Sequence, residues 1–259
     1  MQVRCGRYLM AVLLLLSGGE VTAGSVTVDH IDGTFMIGDT TCFDVVIPVV
    51  FYIRFTNDQS SNVGGFTNGF EVGFGAGGSF SPIVAEELIP DIWDMFFPLI
   101  HDIDYFSVDG TDLDTAGTYG SKQTNSAMPP GFSAVAYSIS TMIPASEVGK
   151  TFCIDSCYFP PSGTWLWAPG GPPYWNGPIC YEVRRCCVGV RGNVDGDPSD
   201  VISISDLVYM VTYMFGGGPR PPCMGEADFM DDGSPDIQDL VTLVQYMFHG
   251  GPPPPACPE

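Results

Sequence analysis

Asn193, Asp195 and Asp197 stand at alternate positions near the end of a 259-residue chain, with Ser203 and Asp206 close behind. Asp228, Asp232, Asp236 and Asp239 form a second series of the same kind. Such side chains are hard oxygen donors. A calcium ion takes about six to eight of them, and a loop of roughly twelve residues supplies them from positions 1, 3, 5, 7, 9 and 12, with glycine at position 6 for the sharp turn. The second series fits that count directly. Asp228 is position 1, Asp232 position 5, Gly233 position 6, Asp236 position 9 and Asp239 position 12. Its defect is Met230 at position 3, because a thioether suits a hard ion poorly. In the first series Asn193, Asp195 and Asp197 take positions 1, 3 and 5, and Asp206 falls two residues late. An insertion at Pro198-Ser199 restores the count. Asp200 then takes the glycine position, Ser203 position 9 and Asp206 position 12.

Each series runs into an apolar segment that must form the next element. Ile204 to Pro222 and Ile237 to Pro255 are identical at 13 of 19 positions. Leu207, Val208, Met210, Val211, Met214 and Phe215 recur at spacings of one, three and four, and Leu240, Val241, Leu243, Val244, Met247 and Phe248 repeat them. That spacing predicts one broad apolar stripe on a helix of about three turns. Gly216 and Gly250, with proline beyond, are the expected stops. No comparable helix precedes either loop, so each unit has one helix rather than two. Taken singly, either series also reads as solvated Asp/Gly turns, since both residues favour turns locally. Repetition at matched distance from matched helices favours the ion-binding reading.

Acidic loop, single helix and a second such unit resemble the type I dockerin repeat of secreted bacterial proteins, over residues 189–259, about a quarter of the chain. The resemblance implies up to two calcium ions held by the loop positions named above. It also implies a partner, a cohesin-like domain or another extracellular protein. That contact usually uses a small hydroxylic pair at loop positions 10 and 11. Here those positions hold Ile204-Ser205 and Ile237-Gln238, a departure that bears on docking more than on calcium.

Residues 1–23 read as a secretory signal peptide, with Arg4 and Arg7, a short apolar core and Val21-Thr-Ala23 before Gly24. The apolar run is too short to span a membrane. Eight of the nine cysteines lie beyond it, and an even number in an exported chain reads as four disulfides whose connectivity the sequence leaves open. Cys223 and Cys257 each end a repeat and are candidates to close the C-terminal unit. A zinc site at Cys153 and Cys157 is disfavoured by export and by the three scattered histidines. The formal charge is −21, and only Lys122 and Lys150 are lysines. Such a field repels nucleic acid and anionic membranes and favours cations.

Residues 24–188 read as a β-sandwich domain. Val45, Ile47, Val49, Phe51, Ile53 and Phe55 alternate within Cys42 to Phe55, and shorter runs lie at Ser25–His30, Phe70–Phe74, Ile103–Val108, Ala134–Ile139, Thr151–Ile154 and Ile179–Val183. Residues 84–97 fit either a helix or a long loop. The expected fold is therefore mainly β, a sandwich followed by a small helical module of paired loop–helix units. Trp167, Tyr174 and Trp175 could stack on sugar rings, although Trp165 and Trp167 on one strand face suit a core better. Asp109, Asp112 and Asp114 read as a solvated turn before a further cation site. His30, His101 and His249 are scattered, and no nucleophile or metalloprotease motif is present.

The reading is thus an exported, non-catalytic calcium-binding protein whose C-terminal module serves attachment or assembly. Its rivals are a carbohydrate-binding or polysaccharide-processing component docked through the C-terminus, and a tail that only caps the sandwich. An exposed apolar stripe on the paired helices would favour docking; burial of that stripe would favour the cap.

Overall fold

The structure is a computed structural model, and it describes residues 24–257 apart from 38–39, 46, 99, 123–125, 159–164 and 188. Residues 1–23, read from the sequence as a signal peptide, lie outside the described residues. In chain order the elements begin with β1 (Ser25–Asp32), β2 (Thr34–Ile37), β3 (Thr40–Asp44), β4 (Pro48–Thr56), β5 (Gly65–Gly73), β6 (Val84–Glu87) and α1 (Pro90–Phe96). They continue with β7 (His101–Ser107), β8 (Leu113–Ser121), β9 (Ser133–Met142), β10 (Thr151–Cys157), β11 (Leu166–Ala168), β12 (Tyr174–Trp175) and β13 (Ile179–Arg184). Helices α2 (Ile204–Gly216), α3 (Met224–Ala227) and α4 (Ile237–His249) complete the chain.

Two compact units interleave along the sequence. The first takes the chain to Asp32, Val50–Thr141 and Phe152–Cys180; the second takes Gly33–Val49, Met142–Thr151 and Tyr181–Glu259. The expected boundary at residue 188 falls inside the second unit. Long-range pairing is the reason: β13 runs parallel to β3, with Glu182 opposite Cys42 and Arg184 opposite Asp44. Strand β2 pairs antiparallel on the other side of β3.

The first unit is a sandwich. One sheet has the order β12-β1-β4-β9-β6, and the facing strands run β10-β5-β8-β7, with β11 extending the β10 side of β5. Alternation dictates which side chains meet between the sheets. Val49, Phe51, Ile53 and Phe55 of β4 all point inward and are fully buried. Phe55 packs against Phe66 of β5, against Trp93 of α1 and against Trp167 of β11, with ring centroids 5.3, 5.9 and 5.4 Å away. The run expected from Cys42 to Phe55 is broken, since β3 ends at Asp44 and β4 begins at Pro48. Proline has no N–H to give a ladder, so a strand starts there readily. Residues 84–97 divide into β6 and α1, the helix beginning at Pro90, where a missing N–H costs nothing.

Helices α2 and α4 have the same construction. Each starts at a capping box, Ser203 with Asp206 and Asp236 with Asp239, and each ends at a left-handed glycine, Gly217 and Gly250. The stop of α2 is thus one residue later than expected. Met210, Leu240 and Leu243 bury themselves with Val194, Ala227 and Phe229 in a small core of their own.

Three disulfides form, Cys153–Cys180, Cys186–Cys223 and Cys187–Cys257, which fits an oxidising extracellular compartment. Among the described residues the expected fourth does not form; Cys42 and Cys157, the two left over, are buried. Cys42 sits inside β3 and Cys157 ends β10, so strand pairing rather than parity places them. Cys223 and Cys257 do not join each other; they reach the adjacent pair Cys186 and Cys187. Among the described residues no helix is long and apolar enough to cross a membrane.

Candidate metal centre

The two acidic loops are built alike, atom by atom. In the second, the Asp239 carboxylate accepts the backbone N–H of Met230 at 2.8 Å on one oxygen and that of Asp236 at 2.7 Å on the other. In the first, the Asp206 carboxylate accepts Asp195 N–H at 3.1 Å and Ser203 N–H at 2.7 Å. These are positions 3 and 9 of each loop. Backbone conformation repeats as well. Gly196 and Asp231, both at position 4, are left-handed at φ +68° and +59°, and Asp200 and Gly233 follow at +56° and +116°. The two extra residues at Pro198-Ser199 are absorbed as a turn. Asp197 Oδ1 accepts from Ser199 N–H at 2.7 Å and from Asp200 N–H at 3.1 Å. The Ser199 contacts hold the Asp197 carboxyl below the usual carboxylate range.

The helices follow from this chemistry. Ser203 and Asp236 act as N-caps, accepting from Ser205 N–H at 3.1 Å and Gln238 N–H at 2.6 Å. Asp206 and Asp239 complete the boxes while facing the loops.

Carboxylates gather most closely in the second loop. Asp228, Asp232 and Asp239 each offer an oxygen, and these oxygens lie within 4.8 Å of one another. Asp228 also accepts the N–H groups of Asp232 at 3.1 Å and Gly233 at 3.0 Å. Burial pushes the Asp239 carboxyl up, opposed by its backbone donors and reinforced by the charges of Asp228 and Asp232. In the first loop Asn193 Oδ1 and Asp195 Oδ1 both receive Asp197 N–H at 3.1 Å, which draws positions 1, 3 and 5 together. Met230 at position 3 of the second loop is exposed and gives the site only its backbone.

The donor set fits a hard cation. All the side-chain donors are oxygens, with carboxylates predominating. Asp206 and Asp239 are both 0 % exposed, and among the described residues neither is paired with a cationic side chain. A buried carboxylate without a counter-charge is costly, and a bound divalent ion supplies that charge. Arg191, which the sequence does not single out, lies beside this loop with its guanidinium on Asp231 Oδ1 at 2.5 Å. A lone arginine before an acidic run carries no pattern that would have flagged it.

The three aromatic candidates do not share a surface. Trp167 is fully buried, with Nε1 on Asn68 Oδ1 at 3.1 Å, so it presents no face to a sugar. Its strand β11 lies on β5, and the side chain fills the space against Phe55. Trp175 is half-buried against Phe70 and Trp165, with Nε1 on Asp155 Oδ1 at 3.0 Å. Tyr174 alone is exposed. Asp114, expected in a solvated turn, is buried. It accepts from Ile83, Asp109 and Gly110 N–H groups at 2.9 to 3.0 Å, the work of a structural anchor.

No protein-family model and no curated protein matches the chain. Among solved structures it is similar to the sixth cohesin of scaffoldin B from Acetivibrio cellulolyticus, described in complex with a Cel5 dockerin, at 11 % identity and a TM-score of 0.41 over 63 % of this chain and 100 % of that one. It is also similar to the seventh ScaB type I cohesin of Pseudobacteroides cellulosolvens, at 14 % identity and a TM-score of 0.40 over 62 % of this chain and 92 % of that one. A type III cohesin module from the ScaE scaffoldin of Ruminococcus flavefaciens covers 64 % of this chain and 88 % of its own, at 11 % identity and a TM-score of 0.38. At such TM-scores the likeness assigns neither family nor function. The dockerin resemblance is nonetheless corrected: no family model, that of the dockerin repeat included, matches residues 189–259, and the solved structures similar to the chain are cohesin modules. Oxygen-rich loops before short amphipathic helices are local chemistry, and local chemistry of that kind does not establish descent.

Proposed function

We propose that this is an exported, non-catalytic calcium-binding protein for attachment or assembly. Each acidic loop of the second unit takes one calcium ion, up to two in all. One observation carries the reading: two buried carboxylates, Asp206 and Asp239, sit at equivalent points of equivalent loops with equivalent backbone donors and, among the described residues, no cationic side chain paired with either. Asn193, Asp195, Asp197 and Ser203 surround the first, and Asp228, Asp232 and Asp236 the second. Calcium neutralises charges that the loops otherwise crowd together, and so fixes the N-termini of α2 and α4.

Attachment to an extracellular protein partner is supported by the outer faces of those helices. Ile204 and Phe215 of α2 are 63 % and 66 % exposed, and Val208, Ile237, Val241 and Phe248 are exposed as well. A sugar-binding sandwich lacks its platform, because Trp167 is in the core.

The test is calorimetric and circular-dichroism titration of the oxidised full chain after chelation. The expected result is a stoichiometry of about two with a gain of helix, falling to about one in Asp206→Ala and in Asp239→Ala. Absence of saturable binding in the unaltered chain would leave the loops as acidic turns.

A further inference from the structure

Arg191 belongs to the first repeat by sequence and to the second by contact. It lies two residues before Asn193, the first donor of the first loop. Its side chain turns the other way. Nη1 donates to the carbonyls of Gly225 at 2.8 Å and Asp228 at 2.7 Å, and Nη2 donates to Asp231 Oδ1 at 2.5 Å. The residue is 2 % exposed. Burying a guanidinium is expensive unless its fork is matched; here Nη1 and Nη2 are matched by α3 and the second loop, while among the described residues Nε has no hydrogen-bond partner.

The partners it selects are Gly225 of α3 and the first and fourth positions of the second loop. Asp228 is the residue whose carboxylate accepts Asp232 and Gly233 N–H groups, so Arg191 anchors the carbonyl of the residue whose carboxylate faces the site. The backbone beside Arg191 is pinned to the same segment. Gly192 N–H donates to Glu226 O at 2.7 Å, and Gly189 N–H donates to Glu226 Oε1 at 2.9 Å. Gly192 has φ +99°, and a Cβ there would press on Ile202 of the first repeat and Phe229 of the second. Residues 189–193 therefore cannot shift without moving both loops.

We propose that Arg191 is a positioning residue that couples the two loops: calcium in the first loop orders residues 191–193 and thereby raises the second loop's affinity for calcium. This rests on the reading of the loops as calcium sites. Coupling of this kind is reciprocal, and it typically amounts to about fivefold or more in affinity. Residues Asp231 and Arg191 lie outside the ligand positions, so the bridge acts through the loop's geometry and not through the ion.

The experiment follows the backbone amides of Gly196 and Gly233, one in each loop, by nuclear magnetic resonance during calcium titration of the full chain. Asp195→Ala disables the first loop. In the unaltered background it is expected to weaken the Gly233 response by about fivefold or more. In Arg191→Met the same substitution is expected to move that response by less than about twofold. Arg191→Lys keeps the buried charge and loses the fork; it serves if the methionine variant does not fold. Amide exchange at Gly233 in chelator is a second readout, expected to quicken in either Arg191 variant without any calcium present. If Asp195→Ala has the same effect in both backgrounds, or none in the unaltered chain, the coupling is overturned while the calcium sites stand. If neither glycine responds to calcium at all, the function proposed above falls with it.

Discussion

Asp44 allows a quantitative test of how the second unit is held together. It ends β3 and is 5 % exposed. One oxygen accepts the N–H of Cys186 at 3.3 Å, beside the Cys186–Cys223 disulfide. Burial pushes its pKa from 3.8 up to about 6, against the backbone donors of Cys186 and Val45 and the charge of Arg220. A folded value above the unfolded one means that the folded state holds its proton more tightly. The associated stability is fully present below about pH 4 and is lost as pH rises through about 6. At about 1.4 kcal/mol per pH unit, a gap of about two pH units corresponds to roughly 3 kcal/mol, so about 1–3 kcal/mol is the expected range.

Asp44→Asn keeps an acceptor for Cys186 and removes the charge. It should abolish this pH slope, leaving the variant about 1–3 kcal/mol more stable than the unaltered chain at pH 7.5 and equal to it at pH 4. Urea unfolding followed by tryptophan fluorescence, in oxidised protein with chelator present, measures both. A variant that is less stable at pH 7.5 than at pH 4, relative to the unaltered chain, would refute the reasoning. It would mean that the ionised carboxylate, through Arg220, stabilises the fold despite its burial.

Two further outcomes follow from the first unit. His101 of β7 contacts Glu87 Oε1 at 3.0 Å through Nδ1 and Asp94 Oδ1 at 3.1 Å through Nε2. Burial lowers its pKa, but the hydrogen bonds and charges of the two carboxylates outweigh that and leave it raised. The stability it brings is fully present below about pH 6.5 and disappears as pH rises through the raised folded value; His101→Gln should therefore cost more at pH 5.5 than at pH 9, measured by thermal unfolding at both. Trp167→Ala should cost about 3–5 kcal/mol in urea unfolding, as removal of a large core ring does; a neutral result would place Trp167 outside the core and reopen the sugar-stacking reading.

What the sequence revealed and what it concealed divide by range of interaction. Helices α2 and α4 were legible because apolar spacing and glycine stops act within one segment, twice over. Strand β4 was legible because Val49, Phe51, Ile53 and Phe55 alternate. Strand β8 was not: Leu113–Ser121 is rich in small residues and buried on both faces, so no alternation marks it. Strands β2, β6, β11 and β12, of two to four residues, are too short to show a period. The interleaving of the two units depends on β3 meeting β13 across most of the chain, and nothing local announces such a pairing. The disulfides failed for the same reason, since parity constrains a count and not a geometry.

The acidic loops show why charge must be read by place rather than by total. A chain of formal charge −21 has few cations to distribute, with nine lysines and arginines in all. Arg191 and Arg185 both reach Asp231, at 2.5 and 3.7 Å, and Asp231 is a loop residue that donates nothing to the ligand positions. Asp206 and Asp239, buried and central, receive backbone N–H groups and, among the described residues, no cationic side chain. If the loops were ordinary acidic turns, the scarce arginines would relieve most by facing the buried carboxylates. They face the half-exposed one instead. That division is the one the proposed ion sites would require: fixed cations hold the frame, and the central carboxylates stay available.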